Sequence, residues 1–166
     1  MDRDGAIAWI SLLAAVIATG VAAALLLSGG EPTAAGWAAA AGCVSLTVAS
    51  VSSHSDMARF LGAVAYRLFD ALLLSSIAWV ERGSGASAAA LIALTGGFLA
   101  AYFAARGRAL GYDIEASTIN RFLRTGLVAL ALIDVERATF WLWALAGLSI
   151  VTAIVRGSQA FTEEMV

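Results

Sequence analysis

Residues 58–80, ARFLGAVAYRLFDALLLSSIAWV, constrain this chain more than any other stretch: they are long and apolar enough to cross a bilayer, yet Arg67 and Asp70 lie well inside them. About 30 Å of hydrocarbon at 1.5 Å per residue requires roughly 20 apolar residues. An ionised side chain at that depth costs about 2.5–3.5 kcal/mol on insertion scales, so it is expected to face a bundle interior or a wet cavity. Arg67 and Asp70 stand one turn apart on one helix face, the spacing at which opposite charges pair. A structural ion pair inside a bundle is the expectation, and loss of one partner should cost stability.

Similar apolar runs recur at 6–28, 34–53, 86–105, 121–134 and 138–156. With 61% of its 166 residues hydrophobic and 13% charged, the chain has too few polar residues to clothe a soluble domain. The expected fold is an all-α integral membrane bundle of six transmembrane helices in one domain, residues 1–166. The first run is longer than a signal-peptide core and follows a net-acidic N-terminus, so it reads as a retained helix. Every basic residue is arginine. Arg59, Arg106, Arg108, Arg121, Arg124 and Arg156 fall on the even-numbered loops and the C-terminal end, whereas the odd-numbered loops hold only Arg82 and Arg137, each beside a glutamate. Both termini are therefore expected on the cytoplasmic side of the cell membrane.

No basic run interleaved with aromatics points to nucleic acid. Cys43, the lone cysteine, reads as a small packed hydrophobe. His54, the lone histidine, reads as an interfacial polar residue and not as a metal ligand. Short turns such as Gly29-Gly30-Glu31-Pro32 contrast with the connector at 106–121, which is long and polar and so the better place for function. Runs such as Thr95-Gly96-Gly97 permit close backbone approach in lipid, and Trp37, Trp79, Trp141 and Trp143 fall at helix ends as interfacial anchors.

Two passages carry a resemblance. Residues 59–74, RFLGAVAYRLFDALLL, resemble the third helix of the CDP-alcohol phosphatidyltransferases. Residues 97–113, GFLAAYFAARGRALGYD, with Asn120-Arg121-Phe122-Leu123-Arg124, are similar to the fourth helix, cytoplasmic loop and fifth-helix start of that family's phosphatidylinositol phosphate synthase branch. The likeness runs over residues 58–134, and Thr152 to Arg156 suit the family's last helix. It implies a dimeric six-helix enzyme that moves a phosphatidyl group from a CDP-linked lipid to an alcohol. In such an enzyme four aspartates on two adjacent helices hold divalent metal, and the last acts as general base.

Anchored on Arg67 and Asp70, the resemblance puts Ala41, Val44, Gly62 and Tyr66 where those four aspartates belong. Anchored instead on Ala58-Arg59, it puts Val51, His54, Leu72 and Ser76 there. Neither supplies a carboxylate for a hard cation, so no catalytic residue, metal or cofactor is expected. Arg106, Arg121 and Arg124 match the family's acceptor-phosphate positions, while Ala104 stands where that branch has a further arginine. The same arginines also suit anionic headgroups through the positive-inside bias alone.

The resemblance thus implies a pseudoenzyme linked to phospholipid biosynthesis. Its expected partners are membrane lipid and either a second copy or an active relative. Two alternatives stand beside it. One is an active transferase whose metal ligands come from Asp56, Asp70, Asp113, Glu115 or a partner. The other is a small transporter using Arg67 and Asp70, although the apolar runs have neither inverted-repeat symmetry nor helix-breaking interruptions.

Overall fold

The computed structural model describes residues 3–52, 55–111 and 118–163, and among them every regular element is helical. In chain order these are α1 (Arg3–Leu27), α2 (Pro32–Ser52), α3 (Asp56–Val80), α4 (Gly85–Ala109), α5 (Thr118–Ile133) and α6 (Ala138–Glu163), with one 3-10 turn, Val135–Arg137, before α6. Five stretches are long and apolar enough to cross a membrane: α1 to α4, and the 3-10 turn with α6. The fifth helix is shorter. Its 16 residues rise about 24 Å, so six spans are not established by length.

Local chemistry places the helix ends. Gly29 at φ +74° ends the first helix, a left-handed conformation that a β-carbon disfavours, and Pro32 opens α2 at a position whose missing N–H costs nothing. Ser55 and Ser84 cap α3 and α4 by accepting from the backbone N–H of Ala58 (3.2 Å) and Ser87 (3.3 Å).

The helices close into a ring in the order α1, α2, α5, α6, α4, α3 and back to α1, and α3 also reaches across to α2 and α5. Half of the α3 span is buried, against 28–39% for the other four apolar spans. Its buried stripe follows the helical period through Tyr66, Phe69, Asp70, Leu73, Leu74 and Ile77. A carboxylate therefore sits in the middle of the most enclosed apolar face.

Small residues bring backbones together where lipid supplies no hydrophobic drive. A β-carbon on Gly36 would stand 2.7–2.9 Å from atoms of Leu132 and Ile133, which fixes the α2–α5 approach. One on Gly96 would stand 3.0–3.2 Å from Ser149 and Ile150 on α6. Trp37, Trp79 and Trp143 are exposed at the end of the bundle opposite most of the arginines. Trp141 is half-buried and donates to Asp134 at 3.0 Å.

Candidate functional site

A cavity of about 720 Å³ opens at the arginine-rich end, between the first half of α3, the second half of α4, the start of α5 and the last turns of α6, with Ser50 from the end of α2. Space comes from missing side chains. Gly62 and Ala63 on α3, and Gly97, Ala100, Ala101, Ala104 and Ala105 on α4, form the walls, and a β-carbon on Gly62 would meet nothing within 4 Å. Among the described residues, the charged ones that line it are cations: Arg59, Arg67, Arg108, Arg121, Arg124 and Arg156.

Its floor is a buried charge cluster joining four helices. Asp70 Oδ2 accepts from Arg124 Nη2 at 2.9 Å and lies 3.5 Å from Arg67 Nη1. Arg124 also donates to the Ser149 hydroxyl on α6, which in turn donates to the Leu145 carbonyl at 2.6 Å. Arg67 donates to the Gly97 carbonyl on α4 at 2.9 Å. The expected pair is thus a triad in which Arg124, 54 residues away, is the nearer partner of Asp70. Gly97 has two roles here, because a β-carbon on it would collide with the Arg124 guanidinium. Packing alone, the expectation for the Thr95-Gly96-Gly97 run, describes Gly96 and only part of Gly97.

Above the floor, Arg156 donates to the Ala100 carbonyl at 3.1 Å, and Arg108 Nε folds back on the Ala104 carbonyl at 3.0 Å. Arg121 lies over the Tyr66 ring, 5.6 Å from its centre, while the Tyr66 hydroxyl accepts from Ser50 at 3.4 Å. Arg59 is at the mouth, paired with exposed Asp56 at 3.5 Å. The cations share one cavity, and like charges gathered in this way repel one another. Such a group suits a phosphate or carboxylate, which planar guanidinium forks bind through paired hydrogen bonds.

Of the three arginines singled out in the sequence, Arg121 and Arg124 line this cavity and Arg106 does not: it is exposed, outside the lining. Arg108, two residues on, takes that place. Arg67, read in the sequence as an intramembrane charge facing a bundle interior or wet cavity, lines it, and so do Arg59 and Arg156, legible there only as cations sharing one end of the bundle. Gly62 and Tyr66 line the cavity. Ala41 and Val44 are on the exposed face of α2, away from the lining, so the four positions do not converge. Under the alternative anchor, Val51 and Leu72 are exposed and Ser76 is buried with its hydroxyl on the Leu72 carbonyl. His54, Asp113 and Glu115 lie outside the described residues.

Among the described residues the donors do not fit a divalent ion. Among the described residues no three of His, Cys, Asp or Glu come together as a metal site. Asp70 is engaged by two arginines and Asp56 by Arg59. Cys43 is buried with its sulfur 2.9 Å from the Thr125 hydroxyl, a packing contact between α2 and α5. No protein-family model matches the chain, and searches of curated proteins and of solved structures find no match either.

Proposed function

We propose that this chain is a non-catalytic membrane protein related to the CDP-alcohol phosphatidyltransferases, holding an anionic phosphate headgroup in the arginine-lined cavity and acting as a partner of an enzyme of phospholipid biosynthesis. In this reading six spans, α5 included, cross the cell membrane with both termini cytoplasmic, the orientation that puts the arginine-rich end inside. The observation that carries it is a cavity whose charged lining, among the described residues, consists of six arginines, with Asp70 beneath it already engaged by two of them. A volume of about 720 Å³ falls in the range of small-ligand sites. The partner is either a second copy or an active relative.

Native mass spectrometry of the full chain tests the binding. Anionic phospholipid should co-purify with the wild type and be depleted in Arg121→Gln. Equal retention of anionic phospholipid by both, or zwitterionic lipid alone on the wild type, would overturn the reading. Incubation with a radiolabelled CDP-lipid, an alcohol acceptor and Mg²⁺ or Mn²⁺ should release no CMP. Release abolished by Asp56→Asn or Asp70→Asn would favour an active transferase instead. Pull-down from native membranes should recover a membrane enzyme of lipid synthesis, and a strictly solitary homodimer would remove the heteromeric version.

A further inference from the structure

We infer that Arg67 is the arginine that grips an anion at the floor of this cavity, and that the buried Asp70–Arg124 couple is a positioning device whose carboxylate holds anion affinity down. This rests on reading the cavity as an anion site and deepens that reading by dividing its floor between binding and support. The resemblance drawn from the sequence points the other way, to Arg124 as a phosphate-binding group. What each guanidinium still has to offer decides between them. Arg124 Nη2 donates to Asp70 at 2.9 Å and Arg124 Nη1 to the Ser149 hydroxyl, so both terminal nitrogens are committed to buried acceptors. Its side chain is 6% exposed. Arg67 commits one nitrogen, Nη1 on the Gly97 carbonyl at 2.9 Å, while its Nη2 and Nε have no hydrogen-bond partner among the described residues. Its side chain is 28% exposed. An anion entering the cavity therefore meets donors with capacity to spare at Arg67 and engaged ones at Arg124.

Charge gives the same division. The triad of two guanidiniums and one carboxylate carries one net positive charge. Asp70 Oδ2 stands 2.9 Å from Arg124 and 3.5 Å from Arg67, so the closer pair cancels more fully and the surplus falls on Arg67. When Arg67 turns to a ligand, Asp70 keeps Arg124 and no buried charge is stranded. Toward the ligand Asp70 acts in the opposite sense: its fixed negative charge competes for the Arg67 guanidinium and repels an anion bound there. Gly97 serves both arginines, since its carbonyl aims Arg67 and its missing side chain admits the Arg124 guanidinium.

Thermal melts of the full chain in a zwitterionic detergent, titrated with inorganic phosphate, test this. The ligand-free melting temperature reads folding, and the midpoint of the phosphate-induced rise reads binding. Micelles doped with phosphatidic acid form a second arm: a larger rise there assigns the anion to a lipid headgroup, a smaller one to a free anion, and the variants should rank alike in both. Arg67→Gln should melt close to the wild type without ligand and raise the midpoint about tenfold or more, the loss of a charge-assisted contact. Ser149→Ala loosens Arg124 from outside the cavity lining; it should lower the ligand-free melting temperature and leave the midpoint where it is in the wild type. Asp70→Asn, nearly equal in shape, should also lower the ligand-free melting temperature, yet move the midpoint to lower phosphate, a gain that a carboxylate with a purely structural role would not produce. Arg67→Gln and Ser149→Ala decide the assignment of Arg67 even where Asp70→Asn does not fold. An unchanged midpoint in Arg67→Gln, a midpoint raised as far by Ser149→Ala as by Arg67→Gln, or an unchanged or weaker phosphate response in folded Asp70→Asn would overturn the inference while leaving an anion site standing. No response of the wild type in either arm would overturn both.

Discussion

The two ends of this bundle are built on opposite principles. At the tryptophan end, Ala35, Ala39, Ala86, Ala89, Ala90 and Ala93 pack with Leu73, Leu74, Leu142 and Leu145, nearly all at or close to zero exposure. There the side chains are small so that backbones can touch. At the arginine end the α4 alanines continue along the same helix, but no opposing backbone fills the space they leave, and the vacancy becomes a cavity ringed by cations. The same residue type thus secures one half of the molecule and empties the other. Stability is expected to reside in the first half, and ligand recognition in the second.

Substitutions at the boundary should break this division most severely. Asp70→Leu removes the only buried carboxylate among the described residues and leaves Arg124 enclosed without its partner, a loss of about 3–5 kcal/mol visible as a large drop in detergent melting temperature. Arg67→Leu should be far milder for folding, because Asp70 keeps Arg124 at 2.9 Å, yet it should weaken phosphate binding. If Arg67→Leu proved as damaging as Asp70→Leu, the triad would not be organised around Arg124.

Within the packed half, Gly36→Ala forces α2 and α5 apart, since its β-carbon would stand 2.7 Å from Ile133; about 1–3 kcal/mol should be lost, measured by the same melts, with little change in anion affinity. Ala104→Arg, in the cavity half, adds a seventh cation to the lining. It should lower the ligand-free melting temperature slightly and steepen the salt dependence of phosphate binding. The smallest effect belongs to Trp141→Phe, which gives up one hydrogen bond to Asp134, about 1 kcal/mol or less.

The helices were legible because their signals are local. The apolar runs at 58–80 and 86–105 become Asp56–Val80 and Gly85–Ala109, with glycine and serine marking the turns between them. The run at 121–134 becomes Thr118–Ile133, and its shortness in the sequence is a real property of α5. The faces were harder to read. On α2 nearly every residue is small, so no apolar stripe tells inside from outside, and Ala41 and Val44 prove to be exposed. Arg106 and Arg108 differ by two positions, about 200° around a helix, and only the packing of α4 against α6 decides which meets the cavity. The Arg67–Asp70 spacing could be seen in the sequence; the Asp70–Arg124 bond, bridging 54 residues, could not.

The fastening of Arg67, Arg156 and Arg108 to one helix has a mechanical consequence. Three positive groups from three helices share a single rail, so a tilt or slide of α4 re-aims all of them at once. Gly96 clamps that rail to α6 through close backbone contact.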